Sequence, residues 1–452
     1  MKPKILFFAR ADHAYLAPLL ESPEYDSVLV TMTVAEKRQV EQTGRKVQAC
    51  FEEEYDGLSS EKPDSNYLET SWSADRYLGK LSIQERELIL GKEITFWKNI
   101  LDTYQPILAI NEPVAIEIAE VLYLEAKKRN IRYLAWMTPP IDNLFYFQTS
   151  AMHGSLSDDV FQVEPTVEDY EITRKYISEV IEGQGKPFYV RNLRSRYSLF
   201  TLLSNMYCWL LCLKMRYTYR NRAKSIAVFG DSSSIFRQKI INAFRSLVYR
   251  YDRMEHYANY EMVLYPMHFE PEATLKYWSE FYDNQAATIE NIAKCLKLTQ
   301  VLVVKEHPQQ PGMLLTPPFQ KLRKRSSNLV FLPAEVASRE LIRQASFMIT
   351  LTSTAGLEAL IAGKPVIALG KVFFDKHSAV TTINNFEELR EIIRQNKLSP
   401  SNPVNTLKFI AQLVNYCYSG NPWTNKATHS DVLVQKVSKA IEIELIKELN
   451  PA

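Results

Sequence analysis

The run Val301–Val304 passes without transition into Lys305, Glu306, His307 and Pro308, and a parallel sheet is the setting that fits it. Short Val/Leu runs are buried there on both faces. Proline ends the ladder because it has no N–H to give. Ligands of open α/β sheets bind just beyond the carboxyl ends of the strands, where His307 falls. Taken alone, the stretch reads equally as a surface loop after a strand, so it needs a partner.

The same pattern recurs along the chain. "SVLVTMTV" and "PILAINEP" have strand character, "VAIEIAEVLYLEAKKRN" has helical apolar spacing, and "IRYLAWMTPP" is an apolar run stopped by Pro139 and Pro140. Strand, helix, strand predicts a βαβ unit feeding a parallel sheet. Lys4–Ala9 predicts a first buried strand. From Met262–Tyr265, closed by Pro266, the alternation becomes more regular through "NLVFLP", "SRELIRQA", "FMITL" and "PVIAL". The expected organisation is an N-terminal domain over 1–258, a second α/β domain over 259–400, and C-terminal helices over 401–452 packing back toward the first.

At 452 residues the chain exceeds one ordinary core. Its 54 basic and 52 acidic residues nearly cancel, which argues against a dedicated nucleic-acid binder. Cys50, Cys208, Cys212, Cys295 and Cys417 are scattered and odd in number, as reduced thiols are, and form neither a disulfide frame nor a zinc site. The start, "MKPKILFFARADHAYLAPLL", is interrupted by Arg10, Asp12 and His13 too early for a signal peptide. No run is long enough to span a bilayer. A cytoplasmic protein is expected. Within the first domain, residues 191–224 set the apolar stretch Leu199–Leu213 between two basic clusters. That reads either as a buried helix or as an interfacial helix peripheral to an anionic membrane.

The partner for His307 lies in "MITLTSTAGLEALIAGKPVIALG". An apolar strand there runs into Thr352, Ser353 and Thr354, then into a helix. With Thr354 as N-cap, the small Ala355 and Gly356 are expected to leave first-turn N–H groups open, which with the helix dipole favours an anion. Glu358 falls about one turn further on, in reach of a sugar hydroxyl. A phosphate between the imidazole and the helix start joins the two strand ends in one account. Dinucleotide and Walker A loops are absent, and Asp158–Asp159 lacks the strand context of a metal–diphosphate site. The reading is a nucleotide-sugar site with no metal and no cofactor.

"YPMHFEPEAT", "VVKEHP" and "TSTAGLEALIAGKPVIALG", in that order, resemble the capsular polysaccharide biosynthesis family that includes bacterial Kdo transferases; "INEPVAIEIAEVLYLEAKKRNIRYLAWMTPP" is similar more loosely. The resemblance implies a GT-B fold, two Rossmann-like domains with parallel sheets facing a central cleft, the acceptor bound mainly by the first and the donor by the second. It implies a CMP-activated donor, Kdo or a related ulosonic or nonulosonic acid, passed to a glycan or lipid-linked acceptor of capsule or lipopolysaccharide. His307 and Pro308 match the nucleotide-holding element, Ser353 and Thr354 the phosphate-receiving helix start, and Glu358 the ribose-binding acid. Lys305, His268 and Glu272 are counted with the donor-side residues. "GKVFFDKHSAV" departs from the commoner glycine-rich ending of such loops.

Transfer needs a base for the acceptor hydroxyl and stabilisation of the leaving phosphate. Glu112, after a strand of the first domain, is the leading base; Asp231 and Asp12 compete, and in a retaining reaction one of them is the nucleophile. Two other readings stay open: an enzyme like UDP-N-acetylglucosamine 2-epimerase, and a non-catalytic capsule assembly or export partner.

Overall fold

A computed structural model describes residues 2–148, 150, 152–183, 199–230, 233–423 and 430–450. The chain divides into two compact units. Unit 1 comprises Met1–Met152, Leu213–Asp231 and Cys417–Ala452; unit 2 comprises His153–Cys212 and Ser232–Tyr416.

Unit 1 is built on β1 (Lys4–Phe8), β2 (Asp26–Thr31), β3 (Ala49–Cys50), β4 (Leu108–Asn111), β5 (Arg132–Met137) and β6 (Leu144–Gln148). Five strands run parallel in the order β5-β4-β1-β2-β3, with Phe7 opposite Leu29 on one side and Ile110 on the other. β6 and the short strand Tyr418–Ser419 extend the β5 edge antiparallel. Ile5, Phe7, Leu108, Ile110 and Leu134 are fully buried, which explains the uninterrupted apolar runs. The C-terminal helix Asp431–Leu449 closes this core with Val437, Ala440, Ile441 and Leu445. Their 3–4 spacing is the stripe of a helix docked on one face, and Arg132 ties it down through Glu444 at 2.6 Å.

The long helix Ile83–Tyr104 opens on a reciprocal cap: the Ser82 hydroxyl accepts the Glu85 N–H, and the Glu85 carboxylate accepts the Ser82 N–H. Gly91 on it is irreplaceable, since a Cβ would sit 2.3 Å from the Glu61 carbonyl oxygen. This helix carries Arg86 and Glu93 into the interior.

Unit 2 contains β7 (Glu261–Pro266), β8 (Gln300–Lys305), β9 (Leu329–Leu332), β10 (Phe347–Thr350), β11 (Val366–Ala368) and β12 (Val380–Thr382), ordered β12-β11-β10-β7-β8-β9 and parallel throughout. That is the doubly wound dinucleotide-fold order, whose direction reverses between β7 and β10. Val263, Tyr265, Leu302, Val304, Ile349 and Ile367 form its core. The helices Val167–Glu182 and Pro403–Tyr416 also belong to this unit, joined by Asn415 donating to Asp169 at 2.9 Å.

Two α/β units on largely parallel sheets are the expected fold class. Their boundaries differ from the continuous division at 258 and 400: residues 153–212, 232–258 and 401–416 lie in unit 2, while Leu213–Asp231 and Cys417–Ala452 belong to unit 1. A chain that crosses between units several times leaves no local mark in its sequence.

The helix Leu199–Thr218 settles one open alternative. None of its described side chains is buried, and Phe200, Leu203, Tyr207, Leu210 and Tyr217 are exposed. The buried-helix alternative fails. Among the described residues, no helix is long and apolar enough to cross a membrane.

Candidate functional site

In unit 2 the polar residues that end β7, β8 and β10 meet at the reversal point of the sheet. His268, two residues past β7, is buried, and its Nε2 accepts the backbone N–H of Thr352, two residues past β10, at 3.2 Å. The two strand ends flanking the reversal are therefore tied directly. Burial and the nearby His307 push the His268 imidazole down to about 3, so it is neutral.

Two amides that the sequence did not single out hold this corner. Gln285 accepts the His268 N–H at 2.8 Å and donates to the His268 carbonyl at 3.1 Å and to Glu270 at 2.7 Å. Gln310 accepts the Glu270 N–H at 2.8 Å. Glu270 is itself pushed up to about 7, chiefly by burial, with Gln285 opposing. No local pattern marks such pairs; they arise from loops that meet only in three dimensions.

His307 is half-buried beyond β8, edge-on to Phe269 at 6.0 Å. Burial and Lys305 push it down to about 4. Its Nδ1 accepts the Gln309 N–H at 3.2 Å, so the neutral ring carries its proton on Nε2 and presents a donor there. Lys305 is buried at the end of β8 and acts electrostatically on both His307 and Glu358. Burial raises the half-buried Glu358 to about 7, with Lys305 opposing. Glu306, next in sequence, is structural: its carboxylate accepts the Tyr251 hydroxyl at 2.9 Å and the Gly312 and Leu314 N–H groups at 3.0 and 2.9 Å. Those bonds fold the loop that carries His307 and Pro308. Glu272 stands half-buried before the short helix Ala273–Trp278, with no capping bond to it.

The helix start after β10 departs from expectation. Thr354 makes no side-chain cap, and the first-turn N–H groups are not open. Ser353 Oγ takes the Ala355 N–H at 3.3 Å, and the Ser353 and Thr354 carbonyls take those of Gly356 and Leu357 at 3.0 Å each. The Ser353 N–H goes to the Thr350 hydroxyl. The turn has folded on itself, so these N–H groups are not available to an anion. Gly356 has a packing reason for its size: a Cβ would lie 2.4 Å from the Phe374 ring. Phe374 lies in "GKVFFDKHSAV", so the unusual loop ending serves as a packed wall. His377 in the same segment is satisfied internally by the Ala379 N–H and the Thr406 hydroxyl.

In unit 1 the corresponding reversal lies between β1 and β4. There Glu112, one residue past β4, pairs with Arg10, two residues past β1. Both are largely buried, and the Tyr133 hydroxyl donates to the Glu112 carbonyl at 3.0 Å. Asp12 is exposed, preceding the short helix His13–Leu16 without capping it. Asp231 lies outside the described residues, as do Arg191, Arg194 and Arg196. Among the described residues, no group of three or more His, Cys, Asp or Glu side chains is placed to hold a metal ion.

Sequence reasoning missed the acidic cluster of unit 1. Glu93, Glu117 and Glu120 are buried on helices whose charges, read as a string, suggest solvated faces. Glu117 pairs with Arg86 at 2.6 Å yet is pushed up to about 8, above all by burial. Glu120 reaches about 6 for the same reason, although it accepts the Thr70 hydroxyl and two backbone N–H groups.

Residues 218–418, just under half of the chain, match the family model described as capsule polysaccharide biosynthesis protein. The chain is 34% identical over 77 residues to the capsule polysaccharide export protein KpsS of Escherichia coli, 16% of this chain and 20% of that one. It is 25% identical over 147 residues to Protein FixF of Sinorhizobium fredii, 32% of this chain and 34% of that one. The alignments thus span about a third or less of either relative. Among solved structures, a KpsC β-Kdo 2,7 transferase of Thermosulfurimonas dismutans matches with 14% identity and a TM-score of 0.37, covering 92% of this chain and 98% of that one. A likeness of that degree carries no argument about activity.

Proposed function

We propose that this chain, whose residues 218–418 match the family model described as capsule polysaccharide biosynthesis protein, is a glycosyltransferase of bacterial surface polysaccharide synthesis. Its donor is a CMP-activated acid sugar, Kdo or a related ulosonic or nonulosonic acid, and its acceptor is a glycan or glycolipid. The observation that carries the reading is the meeting of His268, His307, Lys305 and Glu358 at the β7/β10 reversal of unit 2. Rossmann-order sheets hold nucleotides at that place. A neutral imidazole with its proton on Nε2 donates to a phosphate oxygen, and the Lys305 ammonium offsets charge that grows as the phosphate leaves. Glu358 accepts from a ribose hydroxyl. No metal enters this scheme.

On the acceptor side Glu112 is the base, with Asp12 and Asp231 as the competing carboxylates. If the reaction retains configuration, the chosen carboxylate attacks the anomeric carbon instead. The direct test incubates the protein with CMP-Kdo and a Kdo-terminated glycolipid acceptor, without divalent metal, and follows CMP release and acceptor mass. Release of free epimerised UDP-sugar without acceptor supports the epimerase reading instead.

The reading extends to location. Leu199–Thr218 exposes apolar side chains, and residues 199–224 contain no acidic residue but carry Lys214, Arg216, Arg220, Arg222 and Lys224. Lys224 is engaged with Asp56 at 2.7 Å. An exposed apolar helix with a basic end is the form of an interfacial anchor. We place the enzyme at the inner face of the cytoplasmic membrane, beside lipid-linked acceptors.

A further inference from the structure

The helix Ser233–Val248 of unit 2 carries Phe236, Lys239 and Asn242 at intervals of three, which places them along one face. That face meets the loop that carries His307. Asn242 is buried, and a Cβ added to Gly312 would stand 2.9 Å from both its Cβ and its carbonyl oxygen. Glu306 holds the same glycine by accepting its N–H at 3.0 Å. Helix and loop are therefore in direct contact, with no room for a side chain between them.

Lys239, one turn before Asn242, sets its ammonium 5.7 Å from the centre of the Phe236 ring and 5.8 Å from that of Phe269. Both distances are within cation–π reach. Phe269 is also the ring that meets His307 edge-on at 6.0 Å. A single aromatic ring thus links this ammonium to the imidazole to which the proposed function assigns the phosphate. Among the described residues no carboxylate pairs with Lys239, which is half-buried. Burial pulls its ammonium below the usual range, with the Cys208 thiol opposing. A partly desolvated cation without an acidic partner gains from an arriving anion, because the attraction strengthens as the local dielectric falls. In an ulosonic or nonulosonic acid donor the anomeric carbon carries both the phosphate linkage and a carboxylate. Two negative groups then enter the site a few bonds apart, and a second cation near His307 answers the second of them.

We propose that Lys239 binds the carboxylate of the donor sugar, forming an anion subsite beside the phosphate position at His307. The identity of that anion rests on the glycosyltransferase reading. Two measurements on the full-length protein test it: calorimetry with CMP and CMP-Kdo, and saturation-transfer NMR with the methyl ketoside of Kdo as free acid and as methyl ester. The second needs no nucleotide, so failure of the cytidine reading, seen as absent CMP binding, is distinct from failure of the subsite. Lys239→Met keeps an apolar stem against Phe236 and Phe269, and Lys239→Arg restores the cation. In Lys239→Met the affinity for CMP-Kdo should fall about tenfold or more, as loss of a charge-assisted bond does, while that for CMP stays within about twofold. Lys239→Arg should recover most of the loss. Saturable transfer is expected to the free-acid ketoside and not to its ester, and should disappear in Lys239→Met. An equal loss of CMP and CMP-Kdo affinity would assign Lys239 to the phosphate and overturn the proposal. Unchanged CMP-Kdo affinity in Lys239→Met, absent transfer to the free acid, or transfer indifferent to esterification or to the substitution would overturn it as well.

Discussion

His268 Nε2 and the Thr352 backbone N–H, 3.2 Å apart, join the ends of β7 and β10 across the point where the unit 2 sheet changes direction. The bond fixes the corner to which the proposed function assigns the donor phosphate. Replacing His268 by Phe keeps ring volume but removes the acceptor, leaving the Thr352 N–H unpaired at a cost of about 1–3 kcal/mol. The expected outcome is a folded protein that binds CMP at least tenfold more weakly, measured by titration calorimetry. Unchanged affinity would confine His268 to packing.

Glu112 gives a separate prediction. Glu112→Gln keeps the shape beside Arg10 but cannot take a proton or attack carbon. Turnover should fall by at least a hundredfold, while CMP affinity stays within about twofold. Activity within a few-fold of wild type moves the role to Asp231 or Asp12.

Much of this was legible in the sequence, for a physical reason. Fully buried strands must be apolar throughout, and the abrupt change at Lys305–Pro308, Asn111–Pro113 or Thr352–Thr354 marks where each leaves the sheet. The strand ends, and hence the place of His307, follow from that alone. The His268–Thr352 bond joins positions 84 apart in sequence and leaves no local trace. Glu93 and Glu117 sit on helices where charge ordinarily means solvent, so their burial shows only once the helices pack. The self-closed turn at Ser353 was misread because Ser and Thr serve equally as open caps and as partners of their own backbone.

Stability should depend on pH from two opposing directions. His13, His268, His307 and His377 are held at about 3 to 4, so acid favours the unfolded chain, which takes up protons below about pH 6.5. Glu117, Glu120, Glu270 and Glu358 are raised to between about 6 and 8, so stability falls as pH rises above about 4.5 and the unfolded chain releases protons first. The melting midpoint in mixed buffer at constant ionic strength should therefore peak between about pH 4.5 and 6.5 and be lower by several degrees at pH 8.5. A midpoint that rises steadily to pH 8.5 contradicts the buried neutral acids.

The exposed helix predicts salt-sensitive membrane attachment. Each basic residue near an anionic leaflet contributes roughly 1 kcal/mol. The protein should sediment with phosphatidylglycerol vesicles at low salt and be released by high salt, by neutralising Arg216, Arg220 and Arg222, or by Phe200→Ser with Leu210→Ser. Vesicle binding unaffected by either set of substitutions would assign attachment to another surface.

The central claim is that unit 2 holds a cytidine nucleotide through His307, and ligand-induced stabilisation tests it most directly. At a hundredfold excess over its dissociation constant, a ligand adds about 2.7 kcal/mol to stability. With CMP, UDP and GDP compared on wild type and His307→Ala, the account predicts that CMP alone raises the wild-type melting midpoint in a saturable way. It also predicts that the shift disappears in His307→Ala, whose own midpoint stays near wild type. Stabilisation by UDP or GDP in place of CMP, or an equal CMP shift in the variant, would contradict it.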